Sequence, residues 1–303
     1  MEAYFKSIEG SEKWCEIKPI NKGWSEDRKY YAKDDDGKEY LVRVFPYQND
    51  YEKREEAFRD LQLFNRLSIN IPKVLSFGRL NENELFSVFS WVRGYDLEEK
   101  IRELTEKEQY SLGIEAGKIL KEIHSINVSV PMEPWEIKMN HKIDRKIKGY
   151  KECGIKISGE EKIISYINEN RHLLKGRPES LQHGDYHIGN MVLSKDRMLG
   201  IIDLNRVSYG DPWSEFDRIV WCADISPYFA SGRINGYFDG TPPEAFFRLM
   251  ALYICSNQLS SIPWAISFGD KEIKTMIRQG ENIMNWYEGF ERFIPKWYIK
   301  ESK

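Results

Sequence analysis

The chain has little that would cross-link it covalently or through metal. Its four cysteines, Cys15, Cys153, Cys222 and Cys255, are scattered over 303 residues with neither paired nor metal-ligand spacing. That excludes a disulfide scaffold and a zinc ribbon, and reduced thiols packing as small hydrophobes are expected. No run is long and apolar enough to span a bilayer. The opening Met1-Glu2-Ala3-Tyr4-Phe5-Lys6 lacks the apolar stretch of a secretory signal, so a cytoplasmic protein engaging no membrane is expected. A basic excess is also missing. The formal net charge is -3, which gives no reason to expect a nucleic-acid partner. Internal repeats and low-complexity tracts are absent as well.

What is present is a balanced globular composition, 41% hydrophobic and 31% charged, in a chain longer than the usual single domain. Two lobes are therefore expected, divided at 1–91 and 92–303. The first reads as strands with one helix. Lys29–Lys33 and Lys38–Phe45 flank Asp34-Asp35-Asp36-Gly37, a hairpin with an Asp-Gly turn. A charged helical stretch covers Tyr51 to Leu67 and stops before the extended Ile71-Pro72-Lys73-Val74. Strands then run from Val74 to Arg79 and from Leu85 to Val92 around Asn81-Glu82-Asn83.

Beyond Asp96 the pattern turns helical. Thr105 and Glu108 make a capping box for a helix reaching about Ser125, with Leu112, Ala116, Ile119, Leu120 and Ile123 on its apolar face. His124, at its end, reads as a packed or capping residue. Two helices are expected within Trp135–Arg171, and two more over Pro243–Ser260 and Lys271–Phe290. Between these pairs lies the segment richest in chemistry. His183-Gly184-Asp185-Tyr186-His187-Ile188-Gly189-Asn190 leads through a predicted hairpin, Met191–Ser194 with Leu199–Ile202, into Ile201-Ile202-Asp203-Leu204-Asn205. Phosphoryl transfer needs one carboxylate to orient a hydroxyl and take its proton. It also needs an amide oxygen and a second carboxylate for the Mg²⁺ that bridges the phosphates. Asp185, Asn190 and Asp203 occur in that order and spacing.

On these residues the chain resembles the aminoglycoside phosphotransferase family, whose loop reads H-G-D-x-x-x-x-N before an I-D-[LF] metal loop. Gly210-Asp211-Pro212-Trp213 resembles the family's turn into a core helix. The resemblance implies an α+β, bilobal protein-kinase-like fold with a small β-rich N-terminal lobe and a large mainly helical C-terminal lobe. It implies ATP or GTP, Mg²⁺, and a small hydroxylated acceptor such as an aminoglycoside or similar antibiotic. A metabolic acceptor (choline, ethanolamine, a sugar or an amino alcohol) and a nucleotide-binding pseudokinase are the alternatives. A protein kinase is disfavoured: Gly184 stands where those enzymes carry Arg, and no Ala-Pro-Glu motif follows Asp203.

Placed on this pattern, Asp185 is the expected catalytic residue, with Asn190 and Asp203 as metal ligands. Arg43, on the strand Leu41-Val42-Arg43-Val44, occupies the place of the phosphate-binding Lys. Its Glu partner is assigned to Glu56, with Glu55 and Glu52 as rivals. The phosphate-covering turn falls near Asn21–Asp27, where Ser25 is either a phosphate contact or part of a surface turn. Ser90-Trp91-Val92 takes the hinge position, with Ser90 C=O and Val92 N–H meeting the adenine edge. His183 is expected to shape the loop, Glu215 to anchor the core helix through backbone hydrogen bonds, and Asn205 to tolerate a left-handed backbone. Asp217, Asp224, Asp239 and Glu244 are candidates to receive a polyamine.

Overall fold

The Asp-Gly hairpin is the starting element of the first part of the chain. In the computed structural model, which describes residues 2–21, 27–126 and 133–300, it appears as β2 and β3. The chain opens with a short helix α1 (Glu2–Phe5) and then β1 (Trp14–Ile20), β2 (Arg28–Asp34) and β3 (Glu39–Pro46). Helix α2 (Tyr51–Gln62), strand β4 (Val74–Asn81) and strand β5 (Glu84–Ser90) follow. The five strands form one antiparallel sheet in the order β1-β2-β3-β5-β4. Alternation sorts its faces. Val42 and Val44 turn to one side, where they pack with Phe5, Ile8, Trp14 and Val88. Phe45 turns to the other, where Phe77 stacks on Phe58 of α2. Arg43 shares that second face by its spacing from Phe45.

After β6 (Tyr95–Asp96) the chain becomes mainly helical: α3 (Leu97–Lys100), α4 (Glu106–Ile123), α5 (Trp135–Glu152) and α6 (Glu160–Asn170). The Thr105 capping box forms as expected, with Glu108 N–H donating to Thr105 Oγ1 at 3.3 Å and Thr105 N–H to Glu108 Oε2 at 2.8 Å. Then come β7 (Ser180–Gln182), the hairpin β8 (Met191–Leu193) and β9 (Leu199–Ile201), and β10 (Ser208–Gly210). Helices α7 (Ile219–Ile225), α8 (Pro227–Phe238), α9 (Glu244–Ile266) and α10 (Asp270–Trp286) complete the chain. Two compact units result. The first comprises Met1–Tyr95 and Val192–Val207, the second Asp96–Met191 and Ser208–Lys303.

The second unit rests on two helix contacts. α9 is apolar around its whole circumference, which suits a helix with neighbours on every side, and α5, α6 and α10 pack against it. No helix among the described residues is long and apolar enough to cross a membrane. The other contact joins α4 to α8, where both helices carry two glycines four residues apart, Gly113 and Gly117 facing Gly232 and Gly236. Their backbones meet with no room for a methyl group. A Cβ on Gly117 would lie 2.2 Å from Arg233 O, and one on Gly236 would lie 2.2 Å from Ile114 O.

Gly117→Ala and Gly236→Ala should each destabilise the protein by roughly 1–3 kcal/mol through overpacking against backbone that cannot move aside. Gly149→Ala in α5, where a Cβ meets nothing within 4 Å, should stabilise by about 0.5–1 kcal/mol. Urea unfolding of the three variants checks both signs; equal effects at all three positions would refute the close approach.

Candidate functional site

The loop that carries Asp185 is held from its backbone. β7 pairs antiparallel with β10, matching Leu181 to Tyr209 and Gln182 to Ser208, so the chain leaves β7 beside the Gly210-Asp211-Pro212 turn. Gly184 follows at φ 80°, a left-handed conformation that a side chain would strain; this favours Gly where protein kinases carry Arg. The turn presents two successive N–H groups to one buried carboxylate. Glu215 accepts from His183 N–H at 2.8 Å and from Gly184 N–H at 2.6 Å. The expected anchoring by Glu215 is thus directed at the loop rather than at its own helix.

That carboxylate has further company. His124 Nε2 lies 3.1 Å from Glu215 Oε2, and His124 Nδ1 lies 3.0 Å from Tyr237 OH, which gives the helix-end histidine its packed role. These hydrogen bonds hold the Glu215 carboxyl below its ordinary range, against the upward push of burial. Arg233, fully buried, donates to Glu215 O at 2.8 Å and lies over the rings of Tyr186 and Phe216. Tyr186 OH donates to Ala116 O at 2.7 Å, tying the loop to α4. Asp211 is equally enclosed: Arg177 grips both its oxygens at 2.8 and 2.9 Å, and Tyr253 OH donates at 2.6 Å.

Asp185 itself is half-buried. His183 Nδ1 accepts its N–H at 3.2 Å, which confirms the shaping role expected of His183. Asn190 Nδ2 donates to Asp185 O at 2.9 Å. This commits the amide nitrogen, and Asn190 Oδ1 has no hydrogen-bond partner among the described residues. Arg218 Nη1 stands 3.0 Å from Asp185 Oδ1, and His187 Nε2 stands 3.5 Å from the same oxygen. Gly189 N–H donates to His187 Nδ1 at 3.1 Å, and the Asn190 amide nitrogen lies 3.3 Å from His187 Nε2, the ring nitrogen turned to Asp185. Burial pushes this imidazole down to about 4 despite the pull of Asp185, and at neutral pH it is an uncharged brace. The sequence pattern assigns no role to His187 or Arg218. Neither has a spacing that would single it out.

Asp203 belongs to the first unit, at the end of the β8–β9 hairpin, whose strands lie where the sequence put them. It is half-buried, with no hydrogen bond or ion pair among the described residues. Its backbone is left-handed at φ 65°. Asn205 is not in that region, so the strained position in this loop is Asp203, where a short polar side chain makes it tolerable.

On the nucleotide side, Arg43 forms an ion pair with Asp27, which corrects the pairing expected with Glu56. The reason is local. Lys29 is the cross-strand partner of Arg43, and Asp27, two residues before it, is a diagonal neighbour on the same face. Glu56 is exposed on α2, about two residues round the helix from the inward Phe58, and makes no ion pair among the described residues. Glu55 pairs with Arg59 at 3.5 Å. Of the hinge residues, Trp91 N–H is spent on Glu39 O at 2.9 Å and Ser90 N–H on Lys73 O at 2.9 Å. Val92 N–H has no hydrogen-bond partner among the described residues. Trp91 meets Tyr31 edge-on at 5.2 Å. The phosphate-covering turn, apart from Asn21 and Asp27, lies outside the described residues, and Ser25 with it.

The acidic candidates are largely engaged. Asp224 meets Asn282 at 2.9 Å and Arg278 at 3.4 Å, Asp239 pairs with Lys121, and Glu244 pairs with Arg248 at 2.8 Å. Asp217 is raised above its ordinary range by burial, with Arg218, Lys146 and Lys142 pulling the other way. Phe229 is core.

Glu215→Ala leaves two loop N–H groups and His124 facing a void, and should cost roughly 3–5 kcal/mol, the usual penalty for breaking a buried charged network. Because the native carboxyl is depressed, its contribution is complete above its ordinary value of 4.5 and disappears as pH falls through the lower native value. Unfolding free energies should therefore drop below pH 4.5 in the wild type and more shallowly in Glu215→Gln. Parallel acid limbs would contradict the assignment.

Comparison with known proteins gives consistent results. Residues 16–247 match the APH description, Phosphotransferase enzyme family. Among curated proteins, none matches the sequence. Solved structures with the same fold include the gentamicin complex of APH(2")-IIa, at TM-score 0.63 and 20% identity over 89% of this chain and 92% of that one. The GDP and kanamycin complex of APH(2")-IIIa aligns at TM-score 0.67 and 16% identity, over 93% and 95% of the two chains. A thermostable APH(4)-Ia mutant with ADP and hygromycin B aligns at TM-score 0.66 and 16% identity, over 89% and 93%. The expected kinase-like α+β fold is borne out: an antiparallel sheet in one unit, helices in the other, and a phosphotransferase loop held by Glu215. This chain belongs to the APH family of phosphotransferase enzymes.

Proposed function

We propose that the protein transfers the γ-phosphoryl group of ATP or GTP to a hydroxyl of a small molecule. The observation that carries this reading is the Asp185 loop, clamped by Glu215 through consecutive backbone amides, with Asn190 hydrogen-bonded back to Asp185. Fixing a reacting carboxylate before substrate arrives removes reorganisation from the barrier. In the reaction the acceptor oxygen bonds to the γ-phosphorus as the bond to the β–γ bridging oxygen breaks. The hydroxyl proton passes to Asp185, and the products are the phosphorylated acceptor and the nucleoside diphosphate. Arg218 and His187 keep the carboxylate in one rotamer.

Asn190 and Asp203 suit Mg²⁺. Both offer hard oxygen atoms with no partner among the described residues, and this ion takes one or two such ligands with phosphates and water completing its shell. The metal would supply charge neutralisation on the β- and γ-phosphates. Arg43 is assigned to the phosphates, with Asp27 fixing its guanidinium in place of Glu56. Ser90 C=O and Val92 N–H are assigned to the base edge.

For the acceptor, family membership points to an aminoglycoside or a similar antibiotic. Gentamicin, kanamycin and hygromycin B are what the structural relatives hold. The ion pairs of Asp224, Asp239 and Glu244 weaken the case for a polyamine received on those carboxylates, so the antibiotic reading rests on the family. Choline, ethanolamine and sugars are the metabolic counterparts to be compared.

Asp185→Asn should lower kcat by about 10²–10⁴-fold while nucleotide affinity stays within twofold. Coupled nucleotide-consumption assays and calorimetry read the two quantities, and wild-type turnover in this variant would sink the base assignment. Asp203→Ala should abolish the Mg²⁺ dependence of nucleotide affinity; a wild-type protein that binds ATP equally with and without Mg²⁺ would overturn the metal role.

A further inference from the structure

The turn that supplies Glu215 also supplies a cation. Glu215 closes its carboxylate on two loop N–H groups, and three residues later Arg218 reaches a side chain of the same loop. Its Nη1 stands 3.0 Å from Asp185 Oδ1. The turn is anchored on both sides of Arg218, because Phe216 and Ile219 are fully buried and Trp221 N–H donates to Arg218 O at 3.2 Å. Arg218 makes no other ion pair among the described residues. His187 faces the same oxygen, but at 3.5 Å it lies beyond ordinary hydrogen-bond reach. Backbone and side chain of the loop are thus held by opposite charges from one short segment.

Asp185 Oδ1 is enclosed by protein. The 15% of the side chain that solvent reaches lies on its remaining atoms, so a hydroxyl arrives at Oδ2. A base that serves a hydroxyl serves water by the same chemistry. The water oxygen bonds to the γ-phosphorus, the bond to the β–γ bridging oxygen breaks, and one water proton passes to the carboxylate. Nucleoside diphosphate and inorganic phosphate are then the products. Water is always present, and the acceptor is not. Geometry separates the two: an acceptor is held by the rest of its molecule and can meet one oxygen from one direction, whereas a lone water is not. Locking Oδ1 inward leaves a single line of approach, which suits the tethered hydroxyl. A half-buried guanidinium does the locking, with a planar fork of donors that an ammonium lacks.

We propose that Arg218 is a positioning residue that confines Asp185 to acceptor hydroxyls and so suppresses nucleotide hydrolysis when no acceptor is bound. The inference rests on the phosphotransferase reading above and adds to it the residue that decides transfer against hydrolysis. Arg218 acts through the carboxylate: with the guanidinium gone, Asp185 turns about its side-chain bonds and offers either oxygen to water.

Phosphate release from ATP and from GTP with Mg²⁺, in the absence of any acceptor, reads the effect without knowledge of the substrate. Arg218→Ala should hydrolyse at least about fivefold faster than the wild type, with nucleotide affinity by calorimetry unchanged. The increase should vanish in Arg218→Ala/Asp185→Asn. Millimolar guanidinium should reverse it in Arg218→Ala while leaving the wild type untouched. Arg218→Lys, which keeps the charge, should give a smaller increase, and it decides the matter if the alanine variant does not fold. On any acceptor that is turned over, Arg218→Ala should lower transfer kcat with nucleotide KM unchanged. A merely structural role predicts the opposite, hydrolysis lost together with nucleotide affinity. That outcome, or an increase that survives Asp185→Asn, would overturn the proposal. Transfer by the wild type with hydrolysis no faster in Arg218→Ala removes the proposal alone. A wild type that neither hydrolyses a nucleotide nor phosphorylates any acceptor removes the phosphotransferase reading, and the proposal with it.

Discussion

The carboxylate of Glu215 is the constraint on which the site depends. A loop with a left-handed Gly184 exposes consecutive N–H groups that water would otherwise satisfy. Burying them requires an acceptor strong enough to replace that water, and an ionised carboxylate with hydrogen bonds to both oxygens meets the requirement. His124 and Arg233 then hold Glu215 from α4 and α8. Asp185 is fixed because its own backbone is fixed. Its side chain needs only Arg218 and His187 to settle the rotamer.

This network needs α4 and α8 to lie very close together, and the four glycines make that possible. Side chains at Gly113, Gly117, Gly232 or Gly236 would force the helices apart by more than the reach of a hydrogen bond can absorb. Tyr186 reaches Ala116 on one of these helices while Arg233 projects from the other, so packing density in the helical unit bears directly on the geometry of the chemical loop. Helix α9 contributes by a different route. It buries apolar surface on every side and gives α5 a firm base.

Charge distribution then separates what family membership supplies from what this chain adds. The loop, the buried glutamate and the Gly-Asp-Pro turn belong to the phosphotransferase framework and say little about the acceptor. Here the carboxylates that the sequence offers to a polyamine are largely engaged with cations of the protein itself. A formal charge of -3 does not reveal these pairings, because it counts charges without placing them.

The sequence by itself determined the hairpin strands, the capped helix α4, the two C-terminal helices and the order Asp185, Asn190, Asp203, because each follows from local periodicity, turn chemistry or motif spacing. It also pointed to Glu215 as an anchor and His183 as a loop-shaping residue. Tertiary structure decided what depends on distant segments meeting. Asp27, not Glu56, pairs with Arg43, since cross-strand register outweighs kinase analogy. Asp203, not Asn205, takes the left-handed backbone. His187 and Arg218 gained their places beside Asp185 only through segments brought close by folding. Sequence spacing records periodicity within an element, whereas partners across elements are chosen by packing, and charge in a protein acts through space.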